Sequence, residues 1–85
     1  MVVAAAGPTG RVGYVIGSKL LRRAIDRNRL KRMLREAIRA RRPALNAFDV
    51  VLRLRHPCAP DEVATAAADG ARLIDALARD ATAMP

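Results

Sequence analysis

Residues 19–42 read KLLRRAIDRNRLKRMLREAIRARR, and the order of apolar and charged residues in that run governs the reading of the whole chain. The run holds no Gly or Pro, and most of its residues are good helix formers. Leu30, Met33, Leu34, Ala37 and Ile38 follow the i, i+3, i+4, i+7, i+8 spacing of a helix stripe that faces a core. Asn28, Lys31, Arg32, Arg35, Arg39 and Arg42 fall on the opposite face. Leu21, Ala24 and Ile25 do not continue the stripe at about 100° per residue. The regular helix is therefore predicted to begin at about Arg22–Ala24, with Lys19–Leu21 leading into it. Pro43 ends it, because proline lacks an N–H and disfavours helical geometry at Arg42.

Working outward, Gly7-Pro8-Thr9-Gly10 reads as a turn between two apolar runs. Val2–Ala6 is a short strand, and Arg11–Ser18 a second one. In the second strand Val12, Tyr14 and Ile16 share one face, with Gly13, Val15 and Gly17 on the other. The two runs suggest an antiparallel hairpin. Beyond the basic run, Phe48–Leu54 alternates Phe48, Val50, Leu52 and Leu54 with Asp49, Val51 and Arg53, and so reads as a strand. Pro57-Cys58-Ala59-Pro60 breaks it. Asp61–Ala81 is a second helix with the apolar stripe Val63, Ala67, Gly70, Ile74 and Leu77, Leu73 beside it. Asp61 and Glu62 suit the positive end of its dipole. Gly70 weakens that helix by about 1 kcal/mol relative to Ala unless it permits close packing. The order strand, strand, helix, strand, helix gives an α+β layer, a small sheet covered by helices.

The 85 residues fit one domain spanning 1–85. At this size about 60–65% of the unfolded chain's surface is buried on folding. Hydrophobic residues make up 52% of the chain, enough to fold, and with Tyr14 and Phe48 the only aromatics the core must be aliphatic. Cys58 stands alone, so no intramolecular disulfide forms, and cytoplasm is the expected compartment. Met1–Ala6 is too short for a signal peptide or a membrane span. The sequence offers no Ser/His/Asp set, no metal-ligand cluster and no glycine loop for phosphate, so no catalytic residue and no protein-held metal is expected.

Net charge is +8, and residues 19–42 alone carry eleven Lys/Arg against Asp26 and Glu36. So concentrated a field attracts a polyanion and speeds association with it. A solvated helix face ordinarily pairs opposite charges at i and i+4. Here Glu36 can pair with Arg32, and Asp26 with Arg22 or Arg23, which leaves most of the face uncompensated. Arginine outnumbers lysine fourteen to two, and its planar fork suits phosphates and stacked bases. Asn28 can donate to and accept from a base edge or a 2′-OH. By charge alone the partner is RNA, DNA or an anionic membrane. The membrane requires bulky apolar residues opposite the charges, and that stripe is more simply the core.

Gly17-Ser18-Lys19, then Asp26-Arg27-Asn28-Arg29-Leu30-Lys31-Arg32 and Arg35-Glu36-Ala37-Ile38-Arg39, resembles the signature of the bacterial ribonuclease P protein component. The flanking strands Arg11–Ile16 and Phe48–Leu52 resemble that family in order and spacing, and the resemblance covers about residues 11–81. It implies a small mixed sheet (β-β-α-β-α) with the basic helix in a left-handed β-α-β crossover, a fold shared with a ribosomal protein domain. That hand would be an exception to the right-handed rule. It implies a protein subunit of ribonuclease P, an endoribonuclease whose RNA subunit carries the chemistry, the Mg²⁺-assisted removal of the 5′ leader from precursor tRNA. Mg²⁺ would then be bound chiefly by the RNA, and the partners would be ribonuclease P RNA and precursor tRNA. On matching positions Arg27, Asn28, Arg29, Lys31, Arg32 and Arg35 are the expected RNA contacts, with Lys19 and Arg39 second. Tyr14 is a core residue before it is a stacking platform.

The sequence departs from the family at its start, beginning at what resembles the family's second strand. The family's N-terminal helix and first strand form one wall of the leader cleft, so leader contact is the part of the resemblance least supported. Two other readings compete. A structural RNA-binding protein of small ribosomal type would share the charge without promoting cleavage. A DNA-binding regulator would need a helix and tight turn where strand-like Arg11–Ile16 stands.

Overall fold

A computed structural model describes residues 2–6, 10–42, 45 and 49–83 of the chain. Its elements are β1 (Val2–Ala6), β2 (Val12–Val15), α1 (Ala24–Ala40), β3 (Asp49–Arg53) and α2 (Val63–Ala83), with a 3₁₀ turn at Pro60–Glu62 leading into α2. The architecture is the expected α+β layer in the expected element order.

The sheet is not the expected hairpin. Its strand order is β1-β3-β2, with β1 antiparallel and β2 parallel to β3. β3 therefore sits between the two strands that precede it in sequence. β3 turns Val50 and Leu52 to its inward face, and a central place with a strand on either side covers both of them. Val50 and Leu52 are 1% and 0% exposed. Gly10, at φ 74°, makes the turn into β2 in a conformation glycine adopts without steric cost. The Arg11 carbonyl then accepts from the Val50 N–H at 2.8 Å, and the Val15 carbonyl from Leu54 at 3.0 Å, which fixes the parallel register. Both strands are shorter than their sequence pattern, and Phe48, Pro43 and the turn residues 7–9 lie outside the described residues.

α1 begins at Ala24, as its broken apolar stripe predicts, and Arg41 closes it. Leu30, Leu34 and Ile38 are buried, and Met33 and Ala37 pack against the core beside them. α2 buries Val63, Ala67, Gly70 and Ile74 from its stripe, with Leu77 half-buried. It runs two residues beyond the expected Ala81. Its entry is tied by a reciprocal pair: the Ala59 N–H donates to Glu62 Oε1 at 2.9 Å, and the Glu62 N–H to the Ala59 carbonyl at 2.9 Å. The two helices pack on each other and on one face of the sheet, and Arg41 Nε donates to Asp75 Oδ1 at 3.0 Å between them.

The core is aliphatic, with Leu21, Leu45, Leu54 and Val63 joining the residues already named. The opposite sheet face carries Val15, Val51 and Arg53, all exposed. α1 joins β2 to β3, so the basic helix is the crossover of the parallel pair.

Candidate nucleic-acid interface

Because Leu30, Leu34 and Ile38 fix the inward side of α1, the outward side is fixed too. Asn28, Arg29, Arg32, Arg35 and Arg39 are all exposed on it, along a helix about 25 Å long. Among the described residues the side chains of Asn28, Arg29, Lys31, Arg32 and Arg35 make no hydrogen bond or ion pair, so their donors remain open to an anionic partner. Glu36 is the carboxylate on this side, and its Oε1 accepts from Arg39 Nη1 at 3.1 Å rather than from Arg32. That pair, three residues apart and with both side chains exposed, stabilises by a few tenths of a kcal/mol.

Arg27 departs from the expected contact set. On a helix of 3.6 residues per turn it lies only about 60° from Leu30, on the inward flank. Its Nη1 donates to the Leu21 carbonyl at 2.9 Å and to the Arg22 carbonyl at 2.6 Å. It thereby fastens the segment that enters α1, where Arg23 supplies no side-chain cap. Asp26 lies on the inward side as well. It is 8% exposed, its Oδ2 has no hydrogen-bond partner among the described residues, and Arg23 Nε stands 3.8 Å away. A carboxylate in the first turn of a helix is favoured by the dipole.

Lys19 sits apart from the helix face, exposed in the turn where the Leu20 and Leu21 N–H groups donate to the Gly17 carbonyl. The Cys58 N–H donates to the Leu20 carbonyl at 2.8 Å, so this turn is pinned to the segment after β3. Between them lies a cavity of about 560 Å³ bordered by Lys19, Arg22, Arg23, Asp26, Cys58 and Glu62. Burial raises the Cys58 thiol above its ordinary pKa, and the Glu62, Asp26 and Asp61 carboxylates raise it further. Lys31, expected on the outward face, is half-buried.

Sequence reasoning missed two arginines with structural roles. Arg41 bridges to α2, and Arg42 Nη2 donates to the Gly10 carbonyl at 3.1 Å, which ties the end of α1 to the turn before β2. Their partners lie 34 and 32 residues away, beyond the reach of any helical spacing. Tyr14 is half-buried, packs against the core, and borders a cleft of about 580 Å³ with Val12, Arg35, Glu36, Arg39 and Arg42.

An α+β layer with an uncompensated arginine face on its crossover helix defines a protein built to meet a polyanion. The model of the Ribonuclease P family matches residues 1–78. The chain belongs to that family. Among its relatives, the ribonuclease P protein component of Nitrosomonas eutropha is 35% identical over 69 residues, covering 81% of this chain and 57% of that protein. Those of Nitrosomonas europaea and Bordetella parapertussis are 45% and 52% identical over 47 and 50 residues, covering 55% and 59% of this chain. These alignments take in 40% and 41% of the two proteins, so the chain spans about half the length of the curated relatives it matches. No solved structure matches it significantly. No described helix is long and apolar enough to cross a membrane.

Proposed function

We propose that this chain is the RNA-gripping part of a ribonuclease P protein subunit, binding the catalytic RNA so that precursor tRNA loses its 5′ leader. The observation that carries the reading is the outward side of α1, where Asn28, Arg29, Arg32 and Arg35 stand exposed without carboxylate partners. Guanidinium groups in such an array grip phosphates bidentately, and Asn28 adds a group that both donates and accepts. In this reading the RNA performs the hydrolysis and binds the Mg²⁺ it requires, while the protein neutralises backbone charge and stabilises the assembled complex.

The test is cleavage of a precursor tRNA by bacterial ribonuclease P RNA at low Mg²⁺, with and without the protein. Restored 5′ maturation supports the reading. RNA binding without assistance would limit the chain to docking, and the absence of both would overturn it.

A further inference from the structure

The cleft between β2 and α1 has a composition that the charged face alone does not explain. One wall is Tyr14 with Val12, and the other is Arg35, Glu36, Ile38, Arg39 and Arg42. Its volume, about 580 Å³, lies in the range of sites that hold a small molecule (~300–1,000 Å³) and accommodates one nucleotide. β2 is an edge strand. The carbonyls of Arg11 and Val15 point at β3, so by strand alternation the backbone N–H and C=O of Val12 and Tyr14 point away from it. The cleft therefore joins an aromatic residue, and strand-edge donors and acceptors without a partner among the described residues, to a bank of guanidinium groups. Arg35 has no partner among the described residues, Arg39 is held by Glu36, and Arg42 is anchored on Gly10.

We infer that this cleft seats a single unpaired nucleotide of the RNA partner, its base against Tyr14 and its phosphate on Arg35 and Arg39. The inference rests on the proposed RNA-binding function and deepens it. A phosphate array alone reads only backbone; an aromatic surface between that array and a free strand edge adds a place for a base splayed out of a helix. It also accounts for Tyr14 being only half-buried, although it is the one aromatic side chain of the described sheet.

The experiment measures binding of ribonuclease P RNA across a salt series for the wild-type chain, Tyr14→Phe, Tyr14→Leu and Arg35→Ala, with thermal melting of each. Loss of one base–aromatic stack weakens binding about 5- to 150-fold. Tyr14→Leu should show a loss in that range with the log–log salt slope unchanged, Tyr14→Phe should bind within about twofold of wild type, and Arg35→Ala should lower the slope. Wild-type binding together with Tyr14→Leu binding within twofold would overturn the subsite while sparing the function. A wild-type chain that does not bind the RNA would overturn the function, and the subsite with it. If Tyr14→Leu melts below the assay temperature, the emission of Tyr14 itself decides, because the chain has one Tyr and no Trp. Quenching at saturating RNA, corrected for the RNA's absorption, supports the stack, and unchanged emission overturns it.

Discussion

Arg27 and Arg32 belong to one basic run, yet the helix turns them to opposite sides, and their substitutions should have opposite consequences. Arg27 donates to two backbone carbonyls at the entry to α1. Arg27→Ala should cost about 1–2 kcal/mol of unfolding free energy, since hydrogen bonds from a charged donor are among the stronger ones and this one is half-buried. Arg32 is exposed and without a partner, so Arg32→Ala should leave the urea midpoint almost unchanged. It should lower the salt dependence of RNA binding by about 0.7–0.9 in log–log slope, one phosphate contact. Equal stability of the two variants would contradict the placement of Arg27. Cys58 gives a second prediction at this scale. Its thiol is raised by burial and by three carboxylates, so the folded form holds the proton more tightly than the unfolded chain. Alkylation by iodoacetamide should accordingly titrate at higher pH in the folded protein than in urea, and a lower midpoint would contradict the described surroundings. By linkage, whatever stability this shift contributes is present below the unfolded thiol's pKa and is lost as pH rises through the folded one.

Each element divides into what its own periodicity announces and what only its neighbours decide. The orientation of α1 was legible: Leu30, Leu34 and Ile38 are the buried residues its spacing names, and Ile25, which breaks the stripe, is 65% exposed. The inward places of Asp26 and Arg27 were not read from the sequence, where charge put Arg27 among the RNA contacts; the two carbonyls that hold it belong to the segment before α1 and follow no helical spacing. Strand existence was also legible, whereas strand pairing was not. A Gly-Pro turn between two apolar runs favours a hairpin locally, and the choice against it belongs to β3, forty residues on, which pairs with both strands and buries Val50 and Leu52 between them. Leu34, with no exposed surface, tests the packing of α1. Leu34→Ala should cost about 2–5 kcal/mol in chemical denaturation. A loss under about 1 kcal/mol would mean that α1 is turned otherwise than described.

For the whole molecule, charge and topology act together. The crossover between parallel strands must lie across one face of the sheet, so one side of α1 is committed to the core and the other to solvent. Placing the excess positive charge on that crossover gives a rigid array, held at one end by Arg27 and at the other by Arg41 and Arg42. The array was readable from Asn28, Arg29, Arg32, Arg35 and Arg39 in sequence. The cleft beside it was not, because Tyr14 and Arg35 come together only through the packing of β2 against α1. The proposed role of the outward side of α1 is to bind RNA without supporting the fold. Its most direct test is the affinity of ribonuclease P RNA for the triple variant Arg29→Ala, Arg32→Ala, Arg35→Ala over a salt series, beside its thermal melt. The melt should be unshifted and the log–log salt slope reduced by about 2–3, from the loss of three phosphate contacts. An unchanged slope, or a triple variant that no longer folds, would contradict it.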